Sequence, residues 1–142
     1  MARYFLIIGC LTAFLAVQGI SVAEEAGAER KLAEHVVATI ATRPDWERIK
    51  VLDADATGYG LELFYRETPN GFAQVEADTK SVVRAVLSEL MKAGHSPTHE
   101  GIVICVWGQR LVKGETGTSR VLVYGNATYD YNSDSIEFER GK

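Results

Sequence analysis

The strongest helical periodicity lies between residues 74 and 93, where Val75, Val82, Val83, Val86, Leu87, Leu90 and Met91 recur at three- and four-residue spacing. Glu76, Asp78, Lys80, Arg84 and Lys92 fill the remaining positions, which predicts one amphipathic helix with a single apolar stripe. Gly94 supplies a C-terminal cap and Pro97 prevents continuation. A shorter stripe of Leu32, Val36 and Ile40, with Ala33 and Val37 beside it, predicts a first helix within residues 24–42 that stops before Pro44.

Elsewhere the period drops to two. Ile49 and Val51 alternate with Arg48 and Lys50 in residues 46–54, and Leu61 and Leu63 flank Glu62 in residues 59–66. Asp55-Ala56-Thr57-Gly58 has turn composition and joins these strands as an antiparallel hairpin, while Thr68-Pro69-Asn70-Gly71 closes the second. Residues 101–111 are apolar on both faces, which predicts a central strand with Cys105 as a small buried hydrophobe. Residues 110–118 read as a polar hairpin loop. A long strand follows over 119–131, with Val121, Val123, Ala127 and Tyr129 on one face and Arg120, Asn126, Thr128 and Asp130 on the other. A turn over 132–135 leads to a last strand at 136–139. The order α-β-β-α-β-β-β predicts an α+β fold: an antiparallel sheet of about five strands, with the long helix and the short N-terminal helix packed on one face. The other face is partly polar and open to solvent or a partner.

Residues 1–23 follow a different pattern. Arg3 precedes an apolar stretch over 4–17, and Ser21-Val22-Ala23 places small side chains three and one positions before a cut at Glu24, as a cleaved signal peptide requires. Gln18, Gly19 and Ser21 interrupt the apolar run and argue against a membrane anchor. Ile7-Ile8-Gly9-Cys10 is similar to a lipoprotein box. Only nine residues precede Cys10, however, and the apolar run continues beyond it, so lipidation there is not expected. The protein is expected to be exported, periplasmic or secreted, with no membrane span after cleavage and a single α+β domain over 24–142.

Removing 23 of 142 residues leaves 119, with 14 Lys+Arg against 19 Asp+Glu and a net charge of −5. That balance excludes partners held mainly through phosphates, so neither nucleic acid nor an anionic membrane is expected. Only Cys105 remains, so the domain has no internal disulfide and depends on its core.

Candidate chemistry is sparse. Asp53-Ala54-Asp55-Ala56-Thr57-Gly58 opens like a calcium loop, but Phe64 stands where the twelfth-position glutamate belongs, and a hairpin turn is the better reading. Asp130-Tyr131-Asn132-Ser133-Asp134 reads as a turn in the same way. His95, His99 and Glu100 gather in one segment, yet Gly94 and Pro97 break the helix that would align two histidines, and a solvated loop is expected. The Lys113–Ser119 segment lacks the ending of a phosphate loop and opens no helix. No nucleophile elbow or triad signature is visible, and no cofactor or metal is expected.

What remains are binding candidates. Lys113, Glu115 and Thr116 stand on the longest loop. Tyr124, Asn126, Tyr129, Asp130, Tyr131 and Asn132 make the terminal hairpin rich in phenols, amides and carboxylates, a mixture suited to a protein interface or a sugar platform. Asn126-Ala127-Thr128 is also a glycosylation sequon, relevant only in a eukaryotic host. The leading reading is a small exported non-catalytic binding or accessory protein whose partner is another protein or a cell-envelope component; an inhibitor or immunity-type protein is one such form. The alternatives are a small exported hydrolase or metal-dependent enzyme using His95, His99 and Glu100, and a small-molecule carrier with a pocket between helix and sheet beneath Val83, Leu87 and Leu90.

Overall fold

Period-two segments become strands and helical-period segments become helices in a computed structural model that describes residues 27–142. The leader, Cys10 and the cleavage point after Ala23 lie outside the described residues. A first helix, α1, covers 27–39. Then come β1 (Trp46–Asp55), β2 (Gly58–Tyr65), α2 (Phe72–Lys92), the single turn α3 (Pro97–Glu100), β3 (Val103–Lys113), β4 (Ser119–Asp130) and β5 (Ser135–Arg140). The strands lie side by side in chain order, with β3 at the centre as its two-sided apolar pattern predicts. Gly94 has φ 89 just beyond α2 and ends that helix as expected. The segment after it is not all loop. Pro97 starts α3, and Gly101, with φ 70, stops it after one turn.

The sheet is mixed, not purely antiparallel: β2 and β3 run parallel, while the other three pairs are antiparallel. The connections explain this. A tight hairpin reverses the chain, but α2, with 21 residues, spans about 31 Å. It carries the chain back to the end where β2 began, so β3 sets out in the same direction.

Both long helices lie on one face of the sheet. Trp46, Ile49 and Val51 of β1, the odd-numbered residues of β2, Ile104 and Val106 of β3, and Ala127 and Tyr129 of β4 meet them in one core. From above, Ala33 and Val36 of α1 and Val75, Val82, Val83, Val86 and Leu90 of α2 close it. Val82, Val83, Val86 and Leu90 are fully buried, and burial of each side chain contributes about 1.5–3 kcal/mol. Gly108 and Gly125 face each other across β3 and β4. A Cβ on Gly108 would lie 2.7 Å from Val75 Cγ1, and one on Gly125 would lie 2.5 Å from Phe138 Cζ. Their bare backbones admit the side chains that seat α2 and β5.

Asp78 corrects the expected polar side of α2. It is 1% exposed, facing the core. It accepts hydrogen bonds from Arg43 Nη1 at 2.9 Å, Trp46 Nε1 at 3.3 Å and Tyr65 OH at 3.1 Å. Three donors from the α1–β1 connection, β1 and β2 therefore converge on one carboxylate, which a buried charge requires.

The strand β4 contains a second correction. Gly108 pairs with Gly125, but Gln109 pairs with Val123, leaving Tyr124 as an extra residue. This bulge switches the strand's phase. Ala127 and Tyr129 face the helices as expected, whereas Val121 and Val123 emerge on the opposite, bare face. The loop expected over 110–118 is also shorter, because β3 continues to Lys113 and pairs with Ser119.

Candidate functional site

The bare face takes its shape from β2. Its even-numbered residues are Gly58, Gly60, Glu62 and Phe64, and the first two put no side chain on the sheet. Register places Asp55 beside Gly58 and Asp53 beside Gly60 on one flank, with Val103, Cys105 and Trp107 along the other. With strands about 4.8 Å apart, the two flanks stand about 10 Å from each other. The result is an open trough of about 530 Å3, with Tyr131 and Gly101 at its outer end.

Each wall has a defined state. Asp55 Oδ1 accepts from Thr57 N at 2.8 Å, Thr57 Oγ1 at 2.6 Å and Gly58 N at 3.1 Å. These donors, the Thr57 hydroxyl first, hold the carboxyl's pKa below its ordinary value. Glu62, the next residue on this face of β2, accepts from Gln109 Nε2 at 2.7 Å with Lys50 Nζ 4.0 Å away. Cys105 is half-buried on this face instead of inside the helix-covered core. Burial pushes its thiol up, although Thr128 Oγ1 at 3.4 Å and Asn126 Nδ2 at 3.8 Å approach the sulfur. A thiol held protonated is a poor nucleophile.

Beyond Gln109 the hairpin of β3 and β4 outruns its neighbours. Pairing with β2 stops at Phe64–Gln109, and pairing with β5 begins only at Gly125. Residues 110–113 and 119–123 thus form a two-stranded arm. Its bare side presents Leu111, Val121 and Val123, which are 37%, 48% and 44% exposed. Leu111 and Val121 are directly paired, so these form a continuous patch across the strands.

The binding candidates read from the sequence are dispersed over this scaffold. Lys113 ends β3, and Glu115 and Thr116 are exposed in the arm's tip, where Gly117 takes φ 80. Asn126 is half-buried on the bare face next to Cys105, and its Nδ2 also donates to Thr128 Oγ1 at 3.2 Å. Tyr131 reaches the trough. Tyr124 packs edge-on against Tyr65, and Tyr129 is buried with its hydroxyl donating to Asp134 at 2.8 Å. Asp130 shapes the final turn, accepting from Asn132 N at 3.0 Å and Asn132 Nδ2 at 3.1 Å.

At the other candidate, His95 Nδ1 lies 2.9 Å from Glu100 Oε1, and Ser96 N donates to Glu100 Oε2 at 2.6 Å. These contacts, His95 first, lower the pKa of Glu100. Among the described residues no three His, Cys, Asp or Glu side chains are placed to share a metal ion. Val83, Leu87 and Leu90, where a carrier's pocket would open, belong to or pack against the core. Beside Leu87 lies a surface hollow of about 390 Å3, lined by Met91, His95, Pro97 and Tyr129 among others. No helix among the described residues is long and apolar enough to cross a membrane.

The trough is not visible in the sequence because Gly58 and Gly60 read as turn and strand filler. Their spacing of two, beside Asp53 and Asp55 at the same spacing, was the available signal. No family model, curated protein or solved structure matches the chain.

Proposed function

We propose that this chain is a small exported, non-catalytic binding protein that docks on another protein through the bare face of its sheet. The observation that carries the reading is the projecting arm, where Leu111, Val121 and Val123 lie contiguous and exposed. A patch of that kind loses water on docking, and the arm's outer edges offer backbone donors and acceptors that neither β2 nor β5 covers. The raised thiol of Cys105 supports a binding role over covalent catalysis. The signal-like pattern of residues 1–23 supports export.

Pull-down from a native extract of the source cell, comparing wild type with a Val121→Asp/Val123→Asp double variant, tests the reading. We expect a protein partner that the wild type retains and the double variant loses, with the variant still melting cooperatively. The absence of any arm-dependent partner overturns it.

A further inference from the structure

The trough along Gly58 and Gly60 has two unlike walls. Asp53 and Asp55 make one of them anionic, and among the described residues neither forms an ion pair; the lysine of the same row, Lys50, turns to Glu62. Val103, Cys105 and Trp107 make the facing wall apolar. A Cβ on Gly60 would collide with Asp53 Oδ1, which lies over the glycine, and would stand 3.5 Å from Trp107 Cζ3. Carboxylate and indole therefore approach the same glycine from opposite flanks.

That asymmetry selects an occupant. Lysine and arginine lay their methylenes on apolar surface and keep a cationic head among oxygen acceptors or beside an aromatic ring. An anion would meet two carboxylates. A metal ion would need a third ligand, and no such group of three exists among the described residues.

We propose that the trough receives a lysine or arginine side chain of a docked protein partner, with its stem along Val103 and Cys105 and its cationic head between Asp53 and the Trp107 ring. The inference rests on the protein-docking reading above and adds the chemistry of the partner's anchoring residue.

Titration of the 15N-labelled full chain with blocked pentapeptides tests it. The peptides carry lysine, arginine, norleucine or citrulline between alanines, and agmatine supplies a cation without a peptide. The two charged peptides should shift the Trp107 indole N–H and the Gly58 and Gly60 amides saturably, and the neutral peptides should not. Asp53→Asn should weaken the lysine peptide about fivefold, and Trp107→Leu about three- to fivefold. Because Asp53 is exposed, the first variant keeps the fold even where the second loosens it.

Equal shifts from citrulline, or an unchanged Kd in Asp53→Asn, overturn the proposal. Tighter binding of agmatine than of the arginine peptide also overturns it, since the site then serves a small cation. If the arm variant loses the partner while Asp53→Asn keeps full partner affinity, docking stands and the cation anchor fails. If lysine peptides bind through Asp53 but no partner depends on the arm, the docking reading fails, and with it the protein source of the cation.

Discussion

Glycine sits in the middle of the sheet on both faces, and the two faces use it in opposite ways. On the covered face the spaces left by Gly108 and Gly125 are filled: Val75, Thr79 and Tyr65 crowd the first, and Phe138 with the Glu139 carbonyl crowds the second. On the bare face the Asp53 carboxylate, the end of a movable side chain, lies over Gly60, with the edge of Trp107 beside it. The same missing side chain is filled by fixed packing on one side and by a movable carboxylate on the other. A glycine beneath a flexible side-chain end thus marks a place that can open, whereas one beneath fixed side chains marks close packing of a helix.

The covered face should fail first and hardest when the buried charge of Asp78 is removed. Asp78→Ala leaves Trp46 Nε1 and Tyr65 OH without their acceptor and cuts the tie to Arg43. We expect a loss of about 3–5 kcal/mol, read as a lower urea midpoint. Tyr65→Phe, which removes one donor and leaves the carboxylate two, should cost only about 1–2 kcal/mol. Equal losses from the two variants would show that Asp78 is not the hub.

Alkali attacks the same face. Burial pushes the Tyr59 phenol up to about 12 from an ordinary 10.0, and burial followed by Asp134 does the same for Tyr129. Their raised values mean that the unfolded chain loses these protons first. The stability they contribute is complete below pH 10 and drains as pH rises from 10 towards 12. Thermal melts at pH 9 and pH 11 should therefore diverge, and a flat melting temperature across that interval would remove these phenols from the core's account.

The two glycine environments can be compared directly. Gly108→Ala drives a methyl against Val75 Cγ1 and Thr79 Cγ2 at 2.7 and 3.1 Å, side chains fixed beneath α2, so it should cost about 1–3 kcal/mol. Gly60→Ala meets the Asp53 carboxylate, the far end of a side chain that can swing into solvent. Its effect on stability should stay within about 0.5 kcal/mol, while the lysine-peptide shifts described above shrink. Equal destabilisation by the two alanines would erase the distinction between glycines under fixed and under movable side chains.

Much of the covered face was legible in the sequence because its signals are periodic. The stripe from Val75 to Met91 and the alternation around Ile49 and Leu61 each gave their element, and Gly94 gave the end of α2. The bare face was harder to read, for specific reasons. A one-residue bulge at Tyr124 sends Val121 and Val123 to the side opposite Ala127 and Tyr129, and no alternation rule sees an inserted residue. Parallel pairing of β2 with β3 depends on where a helix delivers the chain, which is a property of the whole fold. Asp78 looked solvated because its acceptors' partners, Arg43, Trp46 and Tyr65, are brought to it only by tertiary packing. The trough is defined by absent side chains, and composition gives little weight to an absence.

Acid supplies the smallest contrast, acting at the margins and sparing the core. Asp55 is held below its ordinary 3.8 by the Thr57 hydroxyl and by the Thr57 and Gly58 amides. Glu100 is held below 4.5 by His95 and the Ser96 amide, and Glu89 below 4.5 by Lys92 and, more weakly, His35. Lowered values mean that the folded chain releases these protons more readily than the unfolded one. Their contribution is therefore complete above about pH 5 and fades as pH falls through 4 and below. All three carboxylates are well solvated, so water and salt screen the effect. Hydrogen exchange should register it locally: at pH 3.5 the amides of Thr57, Gly58 and Ser96 should lose protection relative to pH 6, after correction for intrinsic rates, while those of Leu61 and Val106 keep theirs. Loss of protection at Leu61 and Val106 in the same interval would mean that acid reaches the covered face, and that the two faces are not energetically separate.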